Sequence, residues 1–256
     1  MTDIGYVDAL RAEEITRVVH RHADLLIGKD LLEIGSGTGA QLQILAAVCH
    51  SAVGIETAES AYTAHRRTEI LEYDGLHIPF PDSSFDLVFS SNVIEHIADQ
   101  AAIHAEMRRV LRPGGAALHI VPTAAWRLWT SLAHYPALPR NLLTRLTRSR
   151  RPVGHAGDTG NLDHVQRRRW KARLLDVLIS PRHGEFGNRL SEFLLFRAAA
   201  WRKRFESHGW RVETAEPLGL AYSGHCLFAG RLSLRARTRL ARAIGSSGIL
   251  FVLRPR

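Results

Sequence analysis

The sequence has little cysteine and no long apolar run, and each absence narrows the class of protein. Its 256 residues include two cysteines, Cys49 and Cys226, whose spacing matches no metal or redox motif. No segment approaches the ~18 consecutive apolar residues that span a bilayer. The N-terminus also lacks the basic-then-apolar pattern of a signal peptide. We therefore expect a cytosolic globular protein whose cysteines are reduced and packed as small apolar side chains.

Lysine is scarce as well, because the basic residues are almost all arginines. The net charge is nevertheless +9, and the positive charge is concentrated in one stretch. Eleven basic residues lie between positions 123 and 173, against two acids, Asp158 and Asp163. This local excess predicts an acidic partner or substrate near that segment.

The first half of the chain alternates between apolar runs typical of strands and amphipathic stretches typical of helices. Strands are predicted at 30–34, 52–56, 69–73, 85–90 and 116–121. Helices are predicted at 7–25, 40–49, 58–65 and 99–110, the last capped by Asp99 and stopped by the Pro113-Gly114-Gly115 turn. Alternation of this kind predicts a parallel sheet with helices on both faces and right-handed crossovers.

After Pro122 the regular pattern breaks. Residues 123–190 are rich in proline, glycine and arginine and read as a basic cap inserted into the fold. Strand and helix patterns resume in residues 191–256. There we predict helices at 191–207 and 233–244 and strands at 210–216 and 249–253. We thus predict a core at 1–122 with a leading helix, a cap at 123–190, and a C-terminal part at 191–256 that completes the sheet.

A glycine-rich turn, residues 35–39 (GSGTG), follows the first predicted strand. Glycines tolerate positive φ and present no Cβ to a ligand, and such a turn lies at the carboxyl edge of a parallel sheet, where ligands bind. Its spacing is G-x-G-x-G rather than the G-x-G-x-x-G of dinucleotide sites. Glu33, two residues before Gly35, would repel a pyrophosphate but not a cationic group.

Two further acids follow the next two strands. Glu56, with Thr57 beside it, ends the second strand 21 residues after Gly35, where a carboxylate can accept both hydroxyls of a ribose. A carboxylate near a helix N-terminus is the alternative interpretation of Glu56. Asp74 follows the third strand, where it can accept a hydrogen bond from an adenine amino group.

Several motifs in order resemble the class I S-adenosylmethionine-dependent methyltransferases, and within them the group labelled type 11. They cover about residues 28–122, and they read LEIGSGTG (32–39), VGIE (53–56), DGLHIPF (74–80), FDLV (85–88) and VLRPGG (110–115). The resemblance implies a Rossmann-like three-layer α/β fold with a mainly parallel seven-stranded sheet whose last strand is antiparallel.

The same resemblance implies a cofactor, S-adenosylmethionine, and a role for each motif residue. Glu33 and the turn that contains Gly35, Ser36, Gly37 and Gly39 would face the methionine moiety. Glu56 would bind the ribose, and Asp74 with Gly75 the adenine. Ser90 would reach the ligand from the end of the fourth strand.

Candidate bases come from two segments. His96 closes the stretch NVIEH (92–96) after the fourth strand. Some quinone-pathway O-methyltransferases have a Glu at the position of Asn92 and bind a divalent metal there, so with Asn92 we expect no metal. A packing role for Glu95 and His96 is the main alternative. His183 and Glu185 lie in the aperiodic stretch 181–188, typical of an active-site loop, although a surface turn would also fit. His155, His164 and His225 are weaker candidates.

The cap leaves the acceptor open. We favour O-methylation of a small molecule or glycan hydroxyl, with arginines holding acidic groups. The stretch 123–148 could instead lie on an anionic membrane, which would suit a lipid-linked acceptor. RNA is disfavoured because no RNA-binding module is recognisable. A small-amine N-methyltransferase, a non-catalytic binding subunit and a homodimer all remain compatible with the sequence.

Overall fold

The computed structural model describes residues 3–148, 182–188, 191–224 and 231–256. Most of the predicted basic cap, including His155 and His164, lies outside the described residues, and so does His225.

A single seven-stranded sheet forms the centre of the fold, in the order β3-β2-β1-β4-β5-β7-β6. The strands are β1 (Asp30–Ile34), β2 (Ser51–Thr57), β3 (Leu71–Tyr73), β4 (Phe85–Ser91), β5 (Leu111–Pro122), β6 (Trp210–Pro217) and β7 (Gly248–Pro255). The first five run parallel, and β7 is antiparallel to both of its neighbours. The predicted α/β fold with an antiparallel last strand is therefore confirmed.

Helices cover both faces of this sheet. They are α1 (Asp3–Arg21), α2 (Ala23–Leu26), α3 (Ala40–Ala46), α4 (Gln100–Val110), α5 (Ala124–Arg148), α6 (Glu192–Leu195), α7 (Ala198–Ser207) and α8 (Leu234–Ile244). The Asp99 carboxylate accepts a hydrogen bond from Ala102 N at 2.9 Å, so α4 has the predicted N-cap.

Two predicted elements differ in the structure. The helix predicted at 58–65 is wrong, because only a 3-10 turn at Thr63–His65 forms there. Ser60 and Thr63 compete with helix formation: the Ser60 hydroxyl accepts from Tyr62 N at 3.3 Å, and the Thr63 hydroxyl donates to Ser60 O at 2.8 Å. The helix predicted at 191–207 is divided into α6 and α7, and the predicted cap, expected to be helical or irregular, begins with α5, a helix of 25 residues.

The apolar core is divided between the two faces of the sheet. On one face, α4 and α7 pack large side chains, among them Met107, Trp201 and Phe205. On the other face, α1 and α3 contribute Ile15 and Leu45. The indole of Trp201 donates to Pro122 O at 3.0 Å, which ties α7 to the carboxyl end of β5. This packing fixes the edge at which β1, β2, β4 and β5 end.

Two buried histidines lie within the α4–α7 side of the core. His104 and His119 are both 0% exposed, and burial lowers the pKa of His104 to about 2 and that of His119 to about 3. His104 accepts from the Trp210 indole at 3.1 Å and stacks on His208, and Arg108 and Arg204 add positive charge nearby. Both imidazoles are therefore neutral in the folded protein.

These two histidines predict acid sensitivity of the fold. Their folded pKa lies below the ordinary value, so the unfolded chain binds more protons below about pH 6.5 and stability falls as the pH falls. Each should cost about 1.4 kcal/mol per pH unit below that point. Urea unfolding between pH 7.5 and 5 should show this slope, and His104→Gln should reduce it. The exposed His65→Gln should keep it, and an undiminished slope in His104→Gln would contradict the assignment.

Candidate active site

The glycine turn adopts a backbone that other residues rarely take. Gly35, Gly37 and Gly39 have φ values of 73°, 57° and 79°, in the left-handed region that favours glycine. A Cβ on Gly35 would lie 2.3 Å from the Val93 side chain, so β1 and the segment after β4 approach closely here. The turn thus leads β1 directly into α3.

Glu56 lies against this turn, as the sequence predicted. One carboxylate oxygen accepts a hydrogen bond from Gly37 N at 2.9 Å, and the other accepts from Thr57 N at 3.0 Å. Glu56 also lines the cavity described below. The structure therefore places an anionic acceptor beside the turn, and its contact with a ribose stays a prediction.

Glu33 is a buried acid that fits a cationic ligand. Its side chain is 1% exposed, and its Oε2 has no hydrogen-bond partner among the described residues. Burial raises its pKa to about 8. A positively charged group near this carboxylate would offset that cost, so the residues around the turn suit the ammonium and sulfonium charges of the implied cofactor.

A cavity of about 260 Å³ adjoins the glycine turn and Glu56, whereas Glu33 is outside its described lining. Its lining comes from four parts of the chain: α1, the glycine turn with the start of α3, the end of β2, and the segment after β4. From α1 it includes Val7, Asp8 and Arg11. Asp8 accepts from the Thr38 hydroxyl at 3.1 Å, so α1 closes over the turn. The sequence showed α1 only as an amphipathic helix and gave no signal for this role.

The prediction for Ser90 is corrected by the structure. Ser90 is 0% exposed, and its hydroxyl lies 2.8 Å from His119 Nδ1, inside the core. Ser91 and Asn92 line the cavity instead. Successive strand residues point to opposite faces, so an error of one position reverses the direction of the side chain.

Asp74 and Gly75 lie in the loop after β3, outside the described lining of the cavity. The Asp74 carboxylate is exposed and accepts from Leu76 N at 2.8 Å and His77 N at 2.7 Å, and it also contacts the His77 imidazole. These bonds, led by that to the His77 ring, hold the pKa of Asp74 well below its usual range. A role of this loop in adenine binding stays a prediction.

The structure brings together two catalytic candidates that the sequence proposed separately. His96 and His183 face each other with ring centroids 4.7 Å apart. His96 ends the 3-10 turn Ile94–His96 and lines the cavity. His183 packs its other side on Trp126, at 4.4 Å between ring centroids. His183 itself is outside the described lining of the cavity.

A buried carboxylate holds the loop 182–188 in this place. Glu192 Oε1 accepts from His183 N at 2.7 Å and from Gly184 N at 2.9 Å. Its other oxygen lies 2.8 Å from Arg127 Nε, and both side chains of this ion pair are about 1% exposed or less. Neither Arg127 nor Glu192 was singled out from the sequence.

Glu185 contacts the site through its backbone. Glu185 N donates to Glu95 O at 2.8 Å, which docks the loop on the 3-10 turn. Its side chain is 47% exposed, pairs with Arg182 at 3.4 Å and interacts electrostatically with His96. A catalytic role of the Glu185 side chain stays a prediction.

Glu95 is a site residue that sequence reasoning assigned to packing. It is 1% exposed, and its Oε1 lies 3.7 Å from His183 Nε2 and 3.9 Å from His96 Nε2. Burial lowers the pKa of His96, and the negative charge of Glu95 partly opposes this shift. The signal was present in the sequence as an acid beside His96, but the distant His183 could not be placed next to it.

Residues 32–119 match a protein-family model described as a methyltransferase domain, type 11. A protein of Mycolicibacterium smegmatis described as a probable S-adenosylmethionine-dependent methyltransferase is 40% identical over 111 residues, 41% of each chain. A Mycobacterium tuberculosis protein of the same description is 33% identical over 109 residues, 41% of this chain and 40% of its own. The chain thus matches about two fifths of the length of these curated relatives.

Solved structures agree on the fold. A SAM-dependent methyltransferase from Thermotoga maritima has a TM-score of 0.52 at 15% identity, covering 95% of this chain and 88% of its own. An S-adenosylmethionine-dependent methyltransferase from Mesorhizobium loti has a TM-score of 0.50 at 16% identity, covering 90% and 92%.

The sheet order, the glycine turn and the acid at the end of β2 match what the resemblance to class I S-adenosylmethionine-dependent methyltransferases implied. Within that class, residues 32–119 are similar to the type 11 methyltransferase-domain family.

The buried pair of Arg127 and Glu192 gives a testable consequence for the loop 182–188. Glu192→Gln keeps an acceptor for His183 N but removes the negative charge that Glu192 places beside the buried Arg127 guanidinium, which should cost about 3–5 kcal/mol. Urea unfolding measures this loss. Glu206→Gln is the matched control, since Glu206 pairs with Arg202 at 3.9 Å in an exposed position and should change stability by less than about 1 kcal/mol. Equal effects of the two variants would contradict the role of Glu192.

Proposed function

We propose that this protein transfers the methyl group of S-adenosylmethionine to a hydroxyl group of a small molecule or glycan. The observation that carries the proposal is one cavity whose lining includes Glu56, the glycine turn and His96. Cofactor residues and a proton acceptor thus face the same space. Placing the acceptor oxygen in line with the methyl carbon is the main requirement of this reaction.

The described residues fit the cofactor. Glu33 and the glycine turn would hold the methionine moiety, and Glu56 would hold the ribose. The bound cofactor supplies an activated methyl group on a cationic sulfur. The buried Glu33 supports this assignment, because its Oε2 has no hydrogen-bond partner among the described residues and a nearby cation would offset the cost of its negative charge.

The histidine pair serves the acceptor. The hydroxyl oxygen of the acceptor attacks the methyl carbon, and the carbon–sulfur bond breaks with its electrons going to sulfur. The hydroxyl proton passes to an imidazole nitrogen. His96 suits this role because it lines the cavity and because burial lowers its pKa, which keeps the ring neutral at pH 7. His183, in contact with His96, is the second candidate.

An apolar stripe supports a lipid-linked acceptor within this class. Leu128, Leu132 and Tyr135 are 43%, 49% and 54% exposed and recur along α5 at helical spacing. The Trp129 indole donates to Ile244 O at 2.9 Å, so α5 abuts α8, whose exposed arginines include Arg235 and Arg239. Apolar and basic side chains on adjoining helices suit the surface of an anionic membrane.

The part of the chain that the structure describes contains no helix that combines the length and hydropathy needed to cross a bilayer. We place the proposed reaction in the cytosol, as a biosynthetic step, on the sequence grounds given above.

Cofactor binding tests the proposal first. Calorimetry with S-adenosylmethionine should show saturable binding to the wild type, and Glu56→Ala should weaken it at least about tenfold, since a bidentate acceptor is lost. Glu72→Gln is the matched control, because Glu72 lies on β3 with a 52% exposed side chain paired to Arg66. An affinity of Glu56→Ala equal to that of the wild type, or no binding by the wild type, would refute the proposal.

The pH profile of methyl transfer tests the base. Burial lowers the pKa of His96 below its ordinary 6.5, so kcat should rise with pH in the acid range and reach a plateau before neutrality. His96→Gln should lower kcat about 100-fold and leave the affinity for S-adenosylmethionine unchanged. Transfer of labelled methyl to a panel of sugar and small-molecule alcohols measures this. A profile that is the same in wild type and His96→Gln would argue against His96.

A further inference from the structure

Glu95, His96 and His183 each direct one possible donor atom to a common point, and these atoms all lie within 4.8 Å of one another. We infer that the three side chains form a binding site for a divalent transition-metal ion. This goes beyond the proposed methyl transfer, which requires no metal, and it differs from the expectation drawn from the sequence, where Asn92 spoke against one.

The carboxylate of Glu95 is the first reason. It is 1% exposed, and neither of its oxygens has a hydrogen-bond donor within the described ranges. A buried carboxylate is costly unless a cation or several hydrogen bonds compensate it. This leaves both oxygens available to a metal ion.

The nearby arginines compensate Glu95 only through space. Arg11 and Arg204 both interact electrostatically with it. Arg11, however, hydrogen-bonds to Glu14 Oε2 at 2.9 Å and to the Tyr222 hydroxyl at 3.0 Å. The Arg204 guanidinium lies 4.5 Å from the centre of the Trp201 ring. Neither guanidinium makes a hydrogen bond to Glu95 in the described structure.

The distances are close to those of a coordination shell. Glu95 Oε1 lies 3.7 Å from His183 Nε2 and 3.9 Å from His96 Nε2. Two ligands on one tetrahedral ion, each about 2.1 Å from it, lie roughly 3.4 Å apart. Small side-chain rotations would therefore close the shell around an ion.

The protein fixes these ligands from outside. Glu192 binds the backbone of His183, and Trp126 packs against its ring. His96 is 43% exposed and lines the cavity, so an ion held here would keep open positions toward the acceptor. Three fixed ligands and an open position are the arrangement of catalytic rather than structural metal sites.

The ligand set selects the class of ion. Two imidazoles and one carboxylate favour Zn²⁺, Co²⁺, Ni²⁺ or Fe²⁺ over Mg²⁺ and Ca²⁺, which prefer oxygen ligands. An ion at this point would bind the acceptor oxygen and lower the pKa of its hydroxyl. His96 and His183 would then act as ligands rather than as bases, and the hydroxyl proton would pass to solvent water.

Titration with the metal alone tests the site. Protein stripped with a chelator should bind Zn²⁺ in calorimetry with one tight site, and Co²⁺ should produce visible absorption typical of nitrogen and oxygen ligands. His183→Gln and His96→Gln should each weaken Zn²⁺ at least about tenfold. Glu95→Gln should also weaken Zn²⁺ binding at least about tenfold. If the Glu95→Gln variant fails to fold, the two histidine variants decide the result.

His77→Gln is the matched control, because His77 is also paired to a carboxylate, that of Asp74 at 2.7 Å, but is 80% exposed and outside the cluster. Its Zn²⁺ affinity should equal that of the wild type. Wild-type protein without a tight site, or a tight site that persists in both His183→Gln and His96→Gln, would overturn the inference.

Binding of S-adenosylmethionine is measured separately on the same stripped protein. Cofactor binding and methyl transfer that are insensitive to the chelator would refute the metal site and leave the proposed function intact. A tight Zn²⁺ site in protein that binds no cofactor would refute the proposed function and leave the metal site.

Discussion

The candidate active site depends on the buried carboxylate of Glu192. It neutralises the buried guanidinium of Arg127 on α5 and accepts hydrogen bonds from the backbone of His183 and Gly184. Two charges removed from water are tolerated only when each finds its partner and its hydrogen bonds. One side chain therefore joins α5, α6 and the loop 182–188, and it sets the distance between His183 and His96.

At the opposite end of the cavity, the constraint is the backbone of the glycine turn. Positive φ at three glycines lets β1 turn sharply into α3, and Gly35 N and Gly37 N donate hydrogen bonds to Ile55 O and Glu56 Oε2 on β2. Glu56 binds the turn by accepting a hydrogen bond from Gly37 N, and Asp8 of α1 binds it by accepting one from the Thr38 hydroxyl. The cofactor end is thus held by local backbone geometry, whereas the histidine end is held by long-range pairing.

The sequence alone predicted most of the sheet because its strands are apolar runs with glycine or proline at their ends. β1 was predicted at its observed bounds, and the antiparallel β7 followed from the family resemblance. The helix predicted at 58–65 was wrong because hydroxyl groups of Ser60 and Thr63 bond to the local backbone. Ser90 was misplaced because successive side chains of a strand point to opposite faces of the sheet. A shift of one residue therefore decides which face a side chain lies on.

By itself, the sequence determined the fold class and predicted a cofactor site at the glycine turn, Glu33 and Glu56, since these residues are set by spacing within one stretch of about 25 residues. Only the tertiary structure decided that His183 meets His96 and Glu95, residues almost 90 positions earlier. Spacing carries no information about such contacts, because they depend on how Glu192 pins one loop and how the helices pack. That pairing turned three separate residues into a possible metal site.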